Sequence, residues 1–161
     1  MVWSGVSERT AALLVSLMCF HTLIFNPCAG WLGDKHSKQR ISAVAMIAGL
    51  IALVTLMVSG GRLWTLALFV ILLAISEAAN PLAWAIVGDF FGRKSFATLR
   101  GWQHLPDQLV SMSTPLWMGL VFDRTDSYFW ALVPLTILYG LSALFYWTIP
   151  RPRIPERLRS P

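Results

Sequence analysis

Apolar and polar positions alternate along the chain in long blocks. Five apolar blocks, about 10–29, 41–59, 63–87, 104–122 and 128–148, are separated by short polar stretches. About 20 apolar residues suffice to cross a bilayer as a helix, and each block has about that length or more. The pattern predicts an all-α fold, a polytopic bundle of five transmembrane helices. Residues 1–161 read as one membrane domain, and the tail over 150–161, with Pro150, Pro152, Pro155 and Pro161, as a disordered basic extension. Ser59-Gly60-Gly61-Arg62 and Asp123-Arg124-Thr125-Asp126-Ser127 have the composition of tight turns.

The third block carries one charge, Glu77, near its middle. A carboxylate at that depth costs several kcal/mol on insertion scales and is usually placed for a function. On a helix, Asn80 and Trp84 share its face. Pro81 has no N–H, so the carbonyl of Glu77 loses its partner at i+4. A carboxyl, an amide and a free carbonyl therefore meet at one point. Broken polar helices at mid-membrane are where transporters bind substrate and coupling ions. The plainer reading is a neutral acid hydrogen-bonded inside the bundle.

The first block places His21 near its centre, and Thr22 and Asn26 one turn apart on another face. His21 suggests a proton relay with Glu77, against the commoner case of a satisfied interior histidine. The fourth block is the most polar, with His104, Asp107, Gln108, Ser111, Ser113 and Thr114. In the second block, Ala45 and Gly49 form a pair of small residues suited to close helix contact.

Of 161 residues, 56% are hydrophobic and 13% charged, about half the charge of a soluble domain. The net charge of +5 comes from short clusters between apolar blocks. That distribution fits membrane orientation and argues against nucleic acid as a partner. Five spans put the 30–40 stretch, the 88–103 loop and the tail on one face, with ten Lys and Arg residues against three on the other. Cations collect on the cytoplasmic side. The expectation is an N-terminus outside and a C-terminus inside, in the plasma (inner) membrane. Trp31, Trp64, Trp84, Trp102, Trp130 and Trp147 fall near helix ends, as an aromatic belt does. Cys19 and Cys28 would lie about 13 Å apart on one helix, too far for a disulfide, and read as small interior residues. No phosphate-binding loop, metal-ligand pair or nucleophile–histidine arrangement stands out. An enzyme is not expected, nor a metal or any other cofactor.

Gly30-x-x-x-Asp34-Lys35-x-Ser37-Lys38, followed by Arg40, resembles the cytoplasmic loop signature of the major facilitator superfamily. Ser37 stands where that signature has glycine, and Gln39 where it has its last cation. Asp89-Phe90-Phe91-Gly92-Arg93-Lys94, continuing to Gly101, is similar to the loop between the tenth and eleventh helices of monocarboxylate- or oxalate-type members. That register makes the five segments helices eight to twelve; a register of helices two to six fits the second loop less well. The resemblance implies a partial major-facilitator fold, and a cytoplasmic latch at Asp34 that breaks as two halves rock. It does not supply Glu77, a position that usually carries a small residue in the family.

Two functions follow. One is the C-terminal part of a secondary transporter moving a small organic solute by alternating access, with a monocarboxylate implied by resemblance. Its partners would be lipid, the solute and the remaining transporter helices, from the same gene or a separate chain. The alternative is a truncated, non-transporting membrane protein or assembly partner.

Overall fold

The computed structural model describes residues 7–60 and 62–150, apart from the side chains of Arg93 and Lys94. Five helices make up the fold: α1 (Glu8–Lys35), α2 (Lys38–Val58), α3 (Leu63–Glu77), α4 (Ala79–Thr125) and α5 (Phe129–Thr148). No strand occurs among the described residues. The expected basic tail, 151–161, lies outside them. The Ser7 side chain accepts from the Thr10 N–H at 3.2 Å and caps α1. Glu8 in the first turn and Lys35 in the last suit the helix dipole.

The α2 helix is the centre of the packing, with α3 and α5 against it and α1 against α3. Its buried face is built from small residues, Ser42, Ala45, Ala48, Gly49 and Ala52. Its larger residues Val44, Ile47, Ile51 and Val54 face outward. Without water between helices, close backbone approach and dispersion hold such contacts together. Gly49 marks the closest approach, packed between the Tyr139 ring of α5 and Ser76 of α3. The expected small-residue pair at Ala45 and Gly49 is thus in the interior. One core cluster, including Leu14, Leu53, Leu66, Phe69, Val70 and Leu132, joins α1, α2, α3 and α5. Cys19 and Cys28 are free and exposed, not the interior residues their type suggests, because α1 buries only Leu14, Ala29 and Gly33.

Four segments are long and apolar enough to cross a membrane: Glu8–Lys35, Lys38–Val58, Leu63–Gly92 and Phe129–Thr148. The third runs through a tight turn at Ala78, whose N–H reaches back to the Ile75 carbonyl at 3.2 Å. Pro81 fits this irregularity: it has no N–H, so the Glu77 carbonyl lacks its i+4 donor. The expected loop over 88–103 is instead helical on both sides of Gly92, the single non-helical residue within α4, at φ 73°. Glycine alone takes that conformation without a Cβ clash. The following helix folds back there, since Phe96 packs edge-on against Trp84 and lies beneath Gly88. Residues 93–125 form the part of α4 that follows the Gly92 reversal. Its 101–113 portion is exposed at every side chain, the least enclosed part of the bundle. Trp117 is 49% exposed, so it does not enter the core.

Candidate functional site

Glu77 is the last residue of α3, at the midpoint of the 30-residue span Leu63–Gly92. It is half-buried, at the lip of the Ala78 turn, where the helix ladder is interrupted. Its neighbour Ser76 is fully buried and donates to the Leu73 carbonyl at 2.8 Å. Tyr139 reaches from α5 to Ser76 and lies within electrostatic range of Glu77. The break is therefore held on one side by α2 and α5 through Gly49 and Tyr139.

On the other side stands α1. Ala29 forms a buried cluster with Ala78 and Leu82, which flank the break, and Phe25 packs on it. Gly33 lets α1 approach Leu82 closely, for a Cβ there would fall 2.5 Å from the Leu82 Cδ2. One turn before Ala29, the Oδ1 of Asn26 is out of solvent and has no hydrogen-bond partner among the described residues. An unpaired buried acceptor costs about 1–3 kcal/mol, so a donor from a ligand or a water would be stabilising there. The His21 Nδ1–H donates to the Leu17 carbonyl at 2.7 Å, and its ring lies between Phe20 and Phe25. No ion pair links His21 to Glu77 among the described residues. Phe25 stands between His21 and the cluster at the break. Asn80 is exposed, and its Oδ1 accepts from the Trp84 indole N–H at 3.2 Å. The Arg100 guanidinium stacks 4.3 Å from the centre of the same indole. Asn80 is therefore turned along its own helix to Trp84, with Arg100 joining from the returning helix.

The two polar motifs meet at the end of the bundle where α1 passes into α2. The Lys38 Nζ donates to Asp89 Oδ2 at 2.7 Å, with the two side chains 21% and 41% exposed. This ion pair ties the start of α2 to α4 just before the Gly92 reversal. Asp34 is exposed, with no ion pair among the described residues, and so are Lys35 and Arg40. Gly30 lies in α1 with open space around it. The Ser37 hydroxyl donates to Gln39 Oε1 at 3.0 Å, and Gln39 is buried. The two positions that depart from the loop signature thus bond to each other. Asp89, expected only as part of a loop motif, is the partner of Lys38; their separation of 51 positions along the chain hid the pairing. The backbone at Arg93 and Lys94 continues the helix. Among the described residues no group of His, Cys, Asp and Glu is placed to hold a metal.

The sequence profile of the Major Facilitator Superfamily matches residues 4–161. The chain belongs to this superfamily. It is 25% identical to the monocarboxylate transporter 6 of Homo sapiens over 150 residues, 89% of this chain and 29% of that protein. It is 30% identical to the uncharacterized transporter YycB of Bacillus subtilis (strain 168) over 138 residues, 83% of this chain and 33% of that protein. The chain thus spans about a third of the length of these relatives. No solved structure matches it. With apolar helices of spanning length, this is an integral membrane protein of a transporter superfamily.

Proposed function

We propose that the chain is the C-terminal part of a secondary transporter, helices eight to twelve, moving a small organic solute by alternating access. The observation that supports this reading is the tight, 3₁₀-like turn at Ala78 in the middle of the Leu63–Gly92 span, with Glu77 beside it. Interrupted helices expose backbone carbonyls and polar side chains where only a cavity tolerates them. Glu77 is the coupling carboxyl, binding a proton and releasing it as the site changes sides. Asn26, whose unpaired Oδ1 lies one helical turn before the Ala29 that packs on Ala78, is the polar contact for the solute. His21 tunes the site through Phe25 and does not relay protons directly. The monocarboxylate class is supported by the name of one relative, a monocarboxylate transporter. The cation bias, ten residues to three, supports an N-terminus outside and a C-terminus in the cytoplasm of a plasma (inner) membrane.

The cytoplasmic latch in this reading is Lys38–Asp89, which must loosen when that side opens. Asp34 is left free to pair with a group on the opposing half. Gly92 provides the reversal on which the motif of Asp89, Arg93 and Lys94 depends.

The test is Glu77→Gln, which keeps size and hydrogen bonding but cannot ionise. In the complete transporter it should abolish accumulation of radiolabelled lactate driven by a proton gradient while sparing lactate exchange. Proton-driven accumulation equal to wild type would reduce Glu77 to a packed interior acid. A second reading has its own support. Five helices form one bundle, and alternating access needs two that rock about a shared site. The exposed 101–113 segment leaves a face without neighbours. A non-transporting membrane protein or assembly partner would move no solute in any reconstitution.

A further inference from the structure

We propose that the cavity at the α1–α2 turn binds the phosphate group of an anionic phospholipid. The cavity measures about 880 Å³, and Lys35, Lys38 and Arg40 line it with Asp89 as the opposing carboxylate. Asp89 engages Lys38, which leaves Lys35 and Arg40 without an ion-pair partner among the described residues. The start of α2 adds to the positive potential. Ser37 gives its hydroxyl to Gln39 and makes no side-chain cap, and the first turn contains no acid. The first-turn N–H groups of a helix have no intrahelical acceptor and attract anions. Lys38, Gln39 and Arg40, the residues of that turn, all border the cavity.

The wall below this rim is apolar. Leu32, Ile41 and Val44 line it, and Val44 is 58% exposed on the outer face of α2. The depth fits the membrane boundary: Trp31 is 61% exposed, and the Lys35 Nζ lies 3.9 Å above its ring centre. Exposed tryptophans with a cation beside them occupy the headgroup level. A cationic rim over an apolar, outward-facing wall has the polarity of a phospholipid. The phosphate takes Lys35, Arg40 and the helix start, and an acyl chain lies along Ile41 and Val44. A free phosphate ester would satisfy the rim but leave the wall bare. Cations that only set topology would need no such cavity.

The experiment is a titration of the purified protein with phosphatidylglycerol, followed by native mass spectrometry, with phosphatidylcholine as reference. Each cation near an anionic surface is worth about a 5-fold change in affinity, so Lys35→Gln/Arg40→Gln should weaken retention about 30-fold. Arg62→Gln, at the opposite end of the bundle, should leave it unchanged. Should the double variant fail to fold, Arg40→Gln alone is read against the 5-fold expectation. Retention equal to wild type would overturn the site. Displacement of the lipid by equimolar glycerol phosphate would assign the rim to a soluble phosphate and overturn the lipid. The measurement requires no transport, so its outcome is independent of the transporter reading.

Discussion

Replacing Gly49 by alanine tests the helix crossing on which the site depends. An ideal Cβ at Gly49 would lie 2.5 Å from the Tyr139 Cδ1 and 2.9 Å from the Ser76 Cβ. Carbon atoms in contact prefer about 3.5–4.0 Å. The neighbours must therefore give by roughly 1 Å, but the Tyr139 ring is rigid and the Ser76 Cβ is fixed to the backbone of α3. A shift of α2 would loosen its contact with both helices. Overpacking of this kind costs about 1–3 kcal/mol. For a chain of this size each kcal/mol moves the melting midpoint by about 2–4 °C, so the expected fall is about 2–12 °C. The assay is thermal unfolding of the purified protein in lipid nanodiscs. Gly30→Ala is the control: nothing lies within 4 Å of its Cβ, and alanine favours a helix. Tyr139→Ala should absorb the added methyl, so the double variant should be more stable than the sum of the two changes by about 1 kcal/mol or more. A Gly49→Ala midpoint equal to wild type, or strict additivity with Tyr139→Ala, would refute the reasoning.

The Lys38–Asp89 pair is partly exposed, so a double-mutant cycle with Lys38→Gln and Asp89→Asn should give a coupling of about 0.2–1 kcal/mol, read by thermal unfolding. In the complete transporter Asp89→Asn should raise the reactivity of a cysteine probe at Val44 more than Asp34→Asn does, since Asp89 has a partner to lose within this chain; the reverse order would move the latch to Asp34. For topology, Cys19 and Cys28 are replaced by serine and Arg62→Cys is labelled in intact cells. The cation bias predicts labelling from outside; labelling only after permeabilisation would invert the orientation.

Much of the fold was legible because hydropathy alone sets it. The first two blocks, 10–29 and 41–59, appear within Glu8–Lys35 and as Lys38–Val58, and 128–148 as Phe129–Thr148. The boundaries missed are those where helix continues into polar sequence. The polar stretch on either side of Gly92 has the composition of a loop, yet one glycine suffices for the reversal. Within the site, the irregular turn is legible in Pro81, and the hydrogen bond between Asn80 and Trp84 follows their i, i+4 spacing. The pairings Lys38–Asp89 and Gly49–Tyr139 were not readable. They join residues far apart in the chain, and no local pattern specifies which helices meet. Ser37 and Gln39 looked like defects in a signature; only their mutual hydrogen bond accounts for both.

The most direct test of the transporter reading is uptake of radiolabelled lactate into proteoliposomes under an imposed proton gradient. It compares the complete transporter with this five-helix chain reconstituted alone. The account predicts that the complete transporter accumulates lactate and that the five helices, lacking a second bundle, do not. Accumulation by the five helices alone would contradict alternating access between two bundles, and proton-independent equilibration by the complete transporter would contradict coupling through Glu77.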